Sequence, residues 1–180
     1  MDSQHHQNAS GYNPTWPTNL DAATHAARAN VSQFITHFFQ VSDNPDLTEE
    51  WLSFFGDEAK LVMGDKVAEG KEEIRTLRKG MWEKVKARKH TVRKVFPAVF
   101  PSGTVGGNDD GVLEFMLYGT VVYQFGENGG KEDKMDWAAR AELIPQSSTR
   151  KDGEGSLEVE GNTTKYVFGR YRVYLAAGVE

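Results

Sequence analysis

Apolar positions recur on two different periods along this chain, and the change of period divides it. From Leu20 to Gln40, Ala27, Val31, Phe34, Ile35 and Phe38 recur every three to four positions, the stripe of an amphipathic helix. Asn44-Pro45, a capping residue with proline in the first turn, announces a second helix that stops at Gly56, with Leu47, Trp51, Phe54 and Phe55 along its apolar side. Ala59–Met63 and Lys66–Glu69 flank a Gly64-Asp65 turn and read as a short hairpin. A third helix is predicted over Lys71–Ala87, buried through Ile74, Leu77, Met81 and Val85. Gly80 inside it costs about 1 kcal/mol relative to alanine, so a close neighbour is expected there.

From residue 90 the period shortens to two. His90–Phe96, Val112–Phe125, Lys134–Ile144 and Lys165–Ala176 are rich in Val, Phe, Tyr and Leu, with polar, glycine-bearing loops between them. Strands joined without intervening helices pair as an antiparallel meander. Residues 1–19 are polar and aperiodic, and are predicted to be a flexible arm ahead of one domain spanning 20–180. The fold class expected is α+β, with three helices and an embedded hairpin before four long strands.

Composition narrows the function. The chain has 180 residues and no cysteine, which removes disulfides, thiolate metal sites and thiol nucleophiles, and makes a reducing, cytoplasmic compartment the expectation. A net charge of −5 disfavours a nucleic-acid partner. No apolar run approaches the ~20 residues of a membrane span, and the amino terminus lacks the basic start and apolar block of a signal peptide. The five histidines are scattered without ligand spacing, and the His5-His6 pair reads as solvated, so no metal site is expected. No glycine-rich loop joins a strand to a helix, so no nucleotide cofactor is expected either.

The stretch GDKVAEGKEEIRTLRKGMW, followed by RKHTVRKVF, LEFMLYGTVVYQF, KMDWAARAEL and KYVFGRYRVYL, resembles the hairpin, helix and four curved strands of the nuclear transport factor 2-like (SnoaL-like) superfamily. The resemblance spans about residues 20–176 and is nearest to small fungal isomerases, cyclases and dehydratases. It implies a curved antiparallel sheet wrapped around the three helices to form a cone. Inside that cone a cofactor-free isomerase, cyclase, dehydratase or hydrolase would act by acid–base catalysis on a lipophilic polyketide or terpenoid. The alternative is a non-catalytic ligand-binding or dimerisation module of the same fold.

Against that comparison, Asp136 falls near the strand position where ketosteroid isomerases keep a pocket acid. His90 is similar in placement to a pocket histidine of scytalone dehydratase. Together they form the expected acid–base pair, since burial lifts a carboxyl and a histidine needs little tuning. Tyr118 and Arg140 are candidates to stabilise developing oxyanion charge; Glu114 and Trp82 complete the candidate substrate-binding set. A rival reading has Asp136, Arg140 and Glu142 in an ion-pair lattice on the outer face, with Trp137, Ala139, Ala141 and Leu143 facing the helices. Lys60-Leu61-Val62-Met63 stands where ketosteroid isomerases carry their general base, so no acid occupies that position unless Asp65 substitutes. Tyr123, Trp137 or Tyr171, if on the outer face, would suit a homodimer contact.

Overall fold

A computed structural model describes residues 11–98, 112–126, 130–146 and 165–175. The elements run α1 (Ala22–Ser42), α2 (Thr48–Ser53), β1 (Phe55–Met63), β2 (Lys66–Glu69), α3 (Gly70–Met81), β3 (Val85–Ala98), β4 (Leu113–Phe125), β5 (Glu132–Gln146) and β6 (Lys165–Leu175). The loops between the long strands lie wholly or largely outside the described residues, as do His5, His6 and Ala176.

Asp21 starts α1, its carboxylate accepting from the Thr24 N–H at 2.9 Å. Val31, Ile35, Phe38 and Phe39 then bury against the sheet. The strands form one curved six-stranded sheet in the order β2-β1-β6-β5-β4-β3. The meander β3–β6 is antiparallel throughout, and so is the β1–β2 hairpin. One seam departs from the expected all-antiparallel sheet, because β1 pairs with β6 in parallel. After α3 the chain re-enters at the far edge of the sheet, and three reversals bring β6 back running the same way as β1.

The third helix is shorter than predicted. It stops at Met81, and Val85 already pairs with Phe125 on β4. Ladder pairing over Val85–Ala98 outweighs the helical spacing that had placed Val85 on the stripe. Gly80 admits no neighbour, since a Cβ there would meet nothing within 4 Å. The close approach is at Gly119 instead, where a Cβ would lie 2.0 Å from the Thr91 carbonyl oxygen and 3.0 Å from Trp137 Cζ2.

The chain ahead of α1 is a further correction from residue 11 onward. Tyr12, Pro14 and Trp16 are buried while Asn13 and Thr15 are exposed, the alternation of a strand. Val92 N–H donates to Gly11 O at 2.8 Å, Thr15 N–H to Arg93 O at 2.8 Å and Val95 N–H to Thr15 O at 3.1 Å. This strap satisfies part of the otherwise unpaired edge of β3. A polar sequence with two prolines hides it, because its hydrogen bonds come from a strand some eighty residues away.

Candidate functional site

The site begins where α1 ends. A helix C-terminus presents unsatisfied carbonyls and a partial negative charge, and here it is followed at once by an acid, Asp43. Two arginines from other elements answer that charge. Arg78 of α3, fully buried, donates to Ser42 O at 3.1 Å, Val41 O at 3.2 Å and Asn44 O at 2.7 Å. Arg88 of β3 donates through Nε to Ser42 O at 3.1 Å, and the same Nε lies 3.6 Å from Asp43 Oδ1. Burial pushes both guanidiniums below their ordinary pKa, while the nearby Asp43 carboxylate pulls each back up.

Asp43 holds His90. Its Oδ1 lies 2.5 Å from His90 Nδ1, and its Oδ2 accepts from the His90 backbone N–H at 2.7 Å and from the Tyr12 hydroxyl at 3.0 Å. With Asp43 ionised, Nδ1 carries the proton and Nε2 keeps its lone pair. The side chains are 7% and 13% exposed respectively, so this hydrogen bond is shielded from water. The imidazole packs against both Phe39 and Trp137, with ring centroids 5.1 and 5.8 Å away. Burial lowers the His90 pKa, and the Asp43 hydrogen bond partly restores it. The neutral ring, a proton acceptor, is therefore favoured.

His90, Arg88 and Ser42 line a cavity whose other walls are apolar and aromatic, among them Phe38, Tyr123, Trp137 and Tyr171, with Met63 and Met81 also in the lining. It is narrow. The space between atoms is about 470 Å³ including the mouth, of which a water-sized group can occupy about 40 Å³. Room for a larger ligand must come from side chains that move, and the two methionines suit that use. Burial raises the pKa of the Tyr123 and Tyr171 phenols, keeping both as O–H donors. Trp137 Nε1 is buried without a hydrogen-bond partner, an unmade bond that costs about 1–3 kcal/mol.

Of the six residues expected at the site, His90 alone faces this cavity. Asp136 is exposed and pairs across the ladder with Thr120 on the opposite, outer face of the sheet, since its neighbour Trp137 takes the inward position. Tyr118, Glu114 and Arg140 share that outer face. Arg140 donates through Nε to Glu114 at 2.5 Å and pairs through Nη2 with Glu142 at 2.8 Å, an ion-pair lattice like that of the rival reading but with Glu114 where that reading had Asp136. Trp82 stands behind the site: the Arg88 and Arg78 guanidiniums lie 4.5 and 5.6 Å from its ring, so it backs the arginines and does not line the cavity. Asp65 is exposed in its turn. Trp137 and Tyr171, expected to be available on the outside, are buried, and both line the cavity with Tyr123. A bulge between Val92 and Lys94 also breaks the count by twos along β3, burying Val92 and Val95 and turning Phe96 outward.

Sequence reasoning missed Asp43, Arg78, Arg88 and Tyr12. One signal was within reach: in Arg88-Lys89-His90 the alternation puts an arginine on the histidine's own face, and a buried arginine asks for an acid nearby. Nothing local points to Asp43, which sits 47 positions from His90. Among the described residues no group of three His, Cys, Asp or Glu could hold a metal ion, and no helix is long and apolar enough to cross a membrane.

No family model and no curated protein sequence matches the chain. Solved structures do. ActVI-ORFA from Streptomyces coelicolor superposes with a TM-score of 0.59 at 13% identity, over 83% of this chain and 97% of that one. A scytalone dehydratase-like protein from Novosphingobium aromaticivorans gives 0.63 at 8% identity, over 86% and 87%. Nuclear transport factor 2 from Cryptosporidium parvum gives 0.54 at 16%, over 88% and 98%. At these identities the likeness is one of fold: the chain shares the fold of these three proteins, nuclear transport factor 2 among them.

Proposed function

We propose that this protein is a cofactor-independent acid–base catalyst acting on a lipophilic small molecule, of the isomerase, cyclase or dehydratase kind. The observation that carries the reading is the hydrogen bond from His90 Nδ1 to Asp43 Oδ1, 2.5 Å long and set in the wall of an apolar cavity. A buried carboxylate on Nδ1 fixes the imidazole tautomer and orientation and stabilises the imidazolium that forms when Nε2 takes a proton. A substrate with an acidified C–H would lose that proton to Nε2, its developing oxyanion meeting the Trp137 N–H or a tyrosine O–H. Return of the proton elsewhere on the substrate gives an isomer; loss of a hydroxyl as water gives a dehydrated product. The likeness in fold to a scytalone dehydratase-like protein supports this class.

The test is deuterium exchange into the α-positions of 2-tetralone, a bicyclic ketone with an acidified C–H, followed by proton NMR in heavy water. Exchange well above the buffer rate, lost in His90→Ala, is the expected result. Equal rates in the two proteins would leave His90 without a catalytic role, and the cavity would then be a binding pocket only.

The same reading includes a homodimer. Phe96, 50% exposed, and Met116, paired to it, leave apolar surface on the outer face of the meander, with the 43% exposed Tyr174 beyond Arg140, for a second copy to cover. Light scattering is expected to give about twice the 20.1 kDa chain mass; a mass of one chain at micromolar concentration contradicts it.

A further inference from the structure

Asp43 is held from a direction that the helices and the sheet do not supply. The strap ahead of α1 crosses the edge of β3 and places the buried Tyr12 so that its hydroxyl donates to Asp43 Oδ2 at 3.0 Å. Lys89, one residue before His90 and facing outward, donates from Nζ to the Tyr12 oxygen at 2.5 Å, and the same ammonium sits 3.8 Å from the Tyr12 ring centroid. A hydroxyl that accepts from an ammonium is a better donor to a carboxylate, because each bond polarises the next. The chain of contacts therefore runs from a surface cation through Tyr12 and Asp43 to the imidazole.

We propose that Tyr12 is a positioning residue of the site, and that the strap carrying it is a working part of the catalytic machinery. This rests on the reading of His90 and Asp43 as the acid–base pair, and it adds a third member from a stretch of chain outside the helices and the sheet. Two tasks follow from the geometry. By engaging Oδ2, Tyr12 fixes the rotation of the carboxylate so that Oδ1 meets Nδ1. By sharing the carboxylate's negative charge, it also sets how strongly Asp43 stabilises the imidazolium, and so how basic Nε2 is. The strap's three backbone hydrogen bonds to β3 hold Tyr12 in register with His90 on that same strand.

The groups around the imidazole are Asp43 after α1, Arg88 and Lys89 on its own strand, Tyr123 on β4 and Tyr171 on β6, with Tyr12 reaching it through Asp43. In Tyr12→Phe the ring stays and one donor to the carboxylate is lost. Asp43 then concentrates its charge on Nδ1–H, so the His90 pKa rises, by about 1 for a hydrogen bond to a charged group.

The experiment is an NMR titration of the His90 ring protons in the full chain, comparing the parent with Tyr12→Phe. The comparison is repeated in an Asp43→Asn background, and again with Lys89→Met so that the ammonium cannot take the vacated place. A rise in the Asp43-containing proteins that disappears once Asp43 is Asn supports positioning through the carboxylate. No change, or the same change in both backgrounds, overturns it. Should Tyr12→Phe not fold, Thr15→Pro, which removes the strap's own N–H bond to Arg93, gives the same comparison. Because the titration needs no substrate, its failure is separable from that of the function: His90→Ala could still abolish exchange into 2-tetralone while Tyr12→Phe left the titration untouched.

Discussion

The two faces of the β3–β6 meander carry similar chemistry to opposite ends. On the outer face, Glu114, Arg140 and Glu142 neutralise one another, the arginine 39% exposed and the two acids 12% and 18%, and Asp136 and Tyr118 share that face. On the inner face His90 meets a single carboxylate that comes from no strand at all, backed by two arginines occupied with the end of α1. Charge density does not mark the functional face. The outer face holds more ionisable groups on the meander itself, yet its acids and its arginine are satisfied by one another and open to solvent through Arg140. The inner face holds fewer, desolvated, and each must be satisfied or functional.

The largest effect that separates the faces is on rate. His90→Ala is expected to lower exchange into 2-tetralone by about 10²–10⁴-fold, or about 3–5 kcal/mol of barrier. Its melting temperature is expected to fall as well, because the buried Asp43 carboxylate loses one of its partners, so the rate is compared at a temperature where both proteins are folded. A variant that melts early while retaining exchange would turn the inner pair into a structural one.

Next in size is the stability of the arginines. Arg78→Ala leaves the Val41 and Asn44 carbonyls without their donor, while Ser42 O keeps Arg88, and is expected to cost about 3–4 kcal/mol in denaturant unfolding. Arg140→Ala, whose guanidinium is 39% exposed, is expected to cost less, about 1–2 kcal/mol. Similar costs for the two would erase the distinction between the faces.

A pH scan sharpens the comparison further. Burial lowers the His90 pKa, so the unfolded chain binds its proton first as pH falls. Stability is therefore whole above the unfolded histidine value of about 6.5 and declines below it, through the folded pKa. His90→Gln should flatten that stretch of the curve. The carboxylates whose pKa is lowered by partners, Glu49 beside Arg75 and Glu69 beside Lys60, act below the ordinary carboxylate value instead, so the two windows separate. A curve flat between pH 7 and 5 in the parent would contradict the buried neutral imidazole.

Much of the fold was legible because each long strand announces itself by alternation and each long helix by its stripe. Val31, Ile35 and Phe38 were read from spacing and are core. What stayed hidden has a common cause. Which face of β5 turns inward depends on a single step of register, and Trp137 decides it by filling the space that Gly119 leaves open. Asp43 was invisible because the residues that give it meaning come from α3, β3 and the strap. His90 could be found from its residue type, but its partner could not, since no spacing links the end of α1 to the middle of β3.

The sharpest contrast sets one acid against another. Exchange into 2-tetralone should be measured side by side for the parent, Asp43→Asn and Asp136→Asn. A loss of about 100-fold or more is expected for Asp43→Asn and a rate within about twofold of the parent for Asp136→Asn, whose side chain points away from the cavity into solvent. A full rate in Asp43→Asn together with a lost rate in Asp136→Asn would contradict the assignment of the inner face as the site.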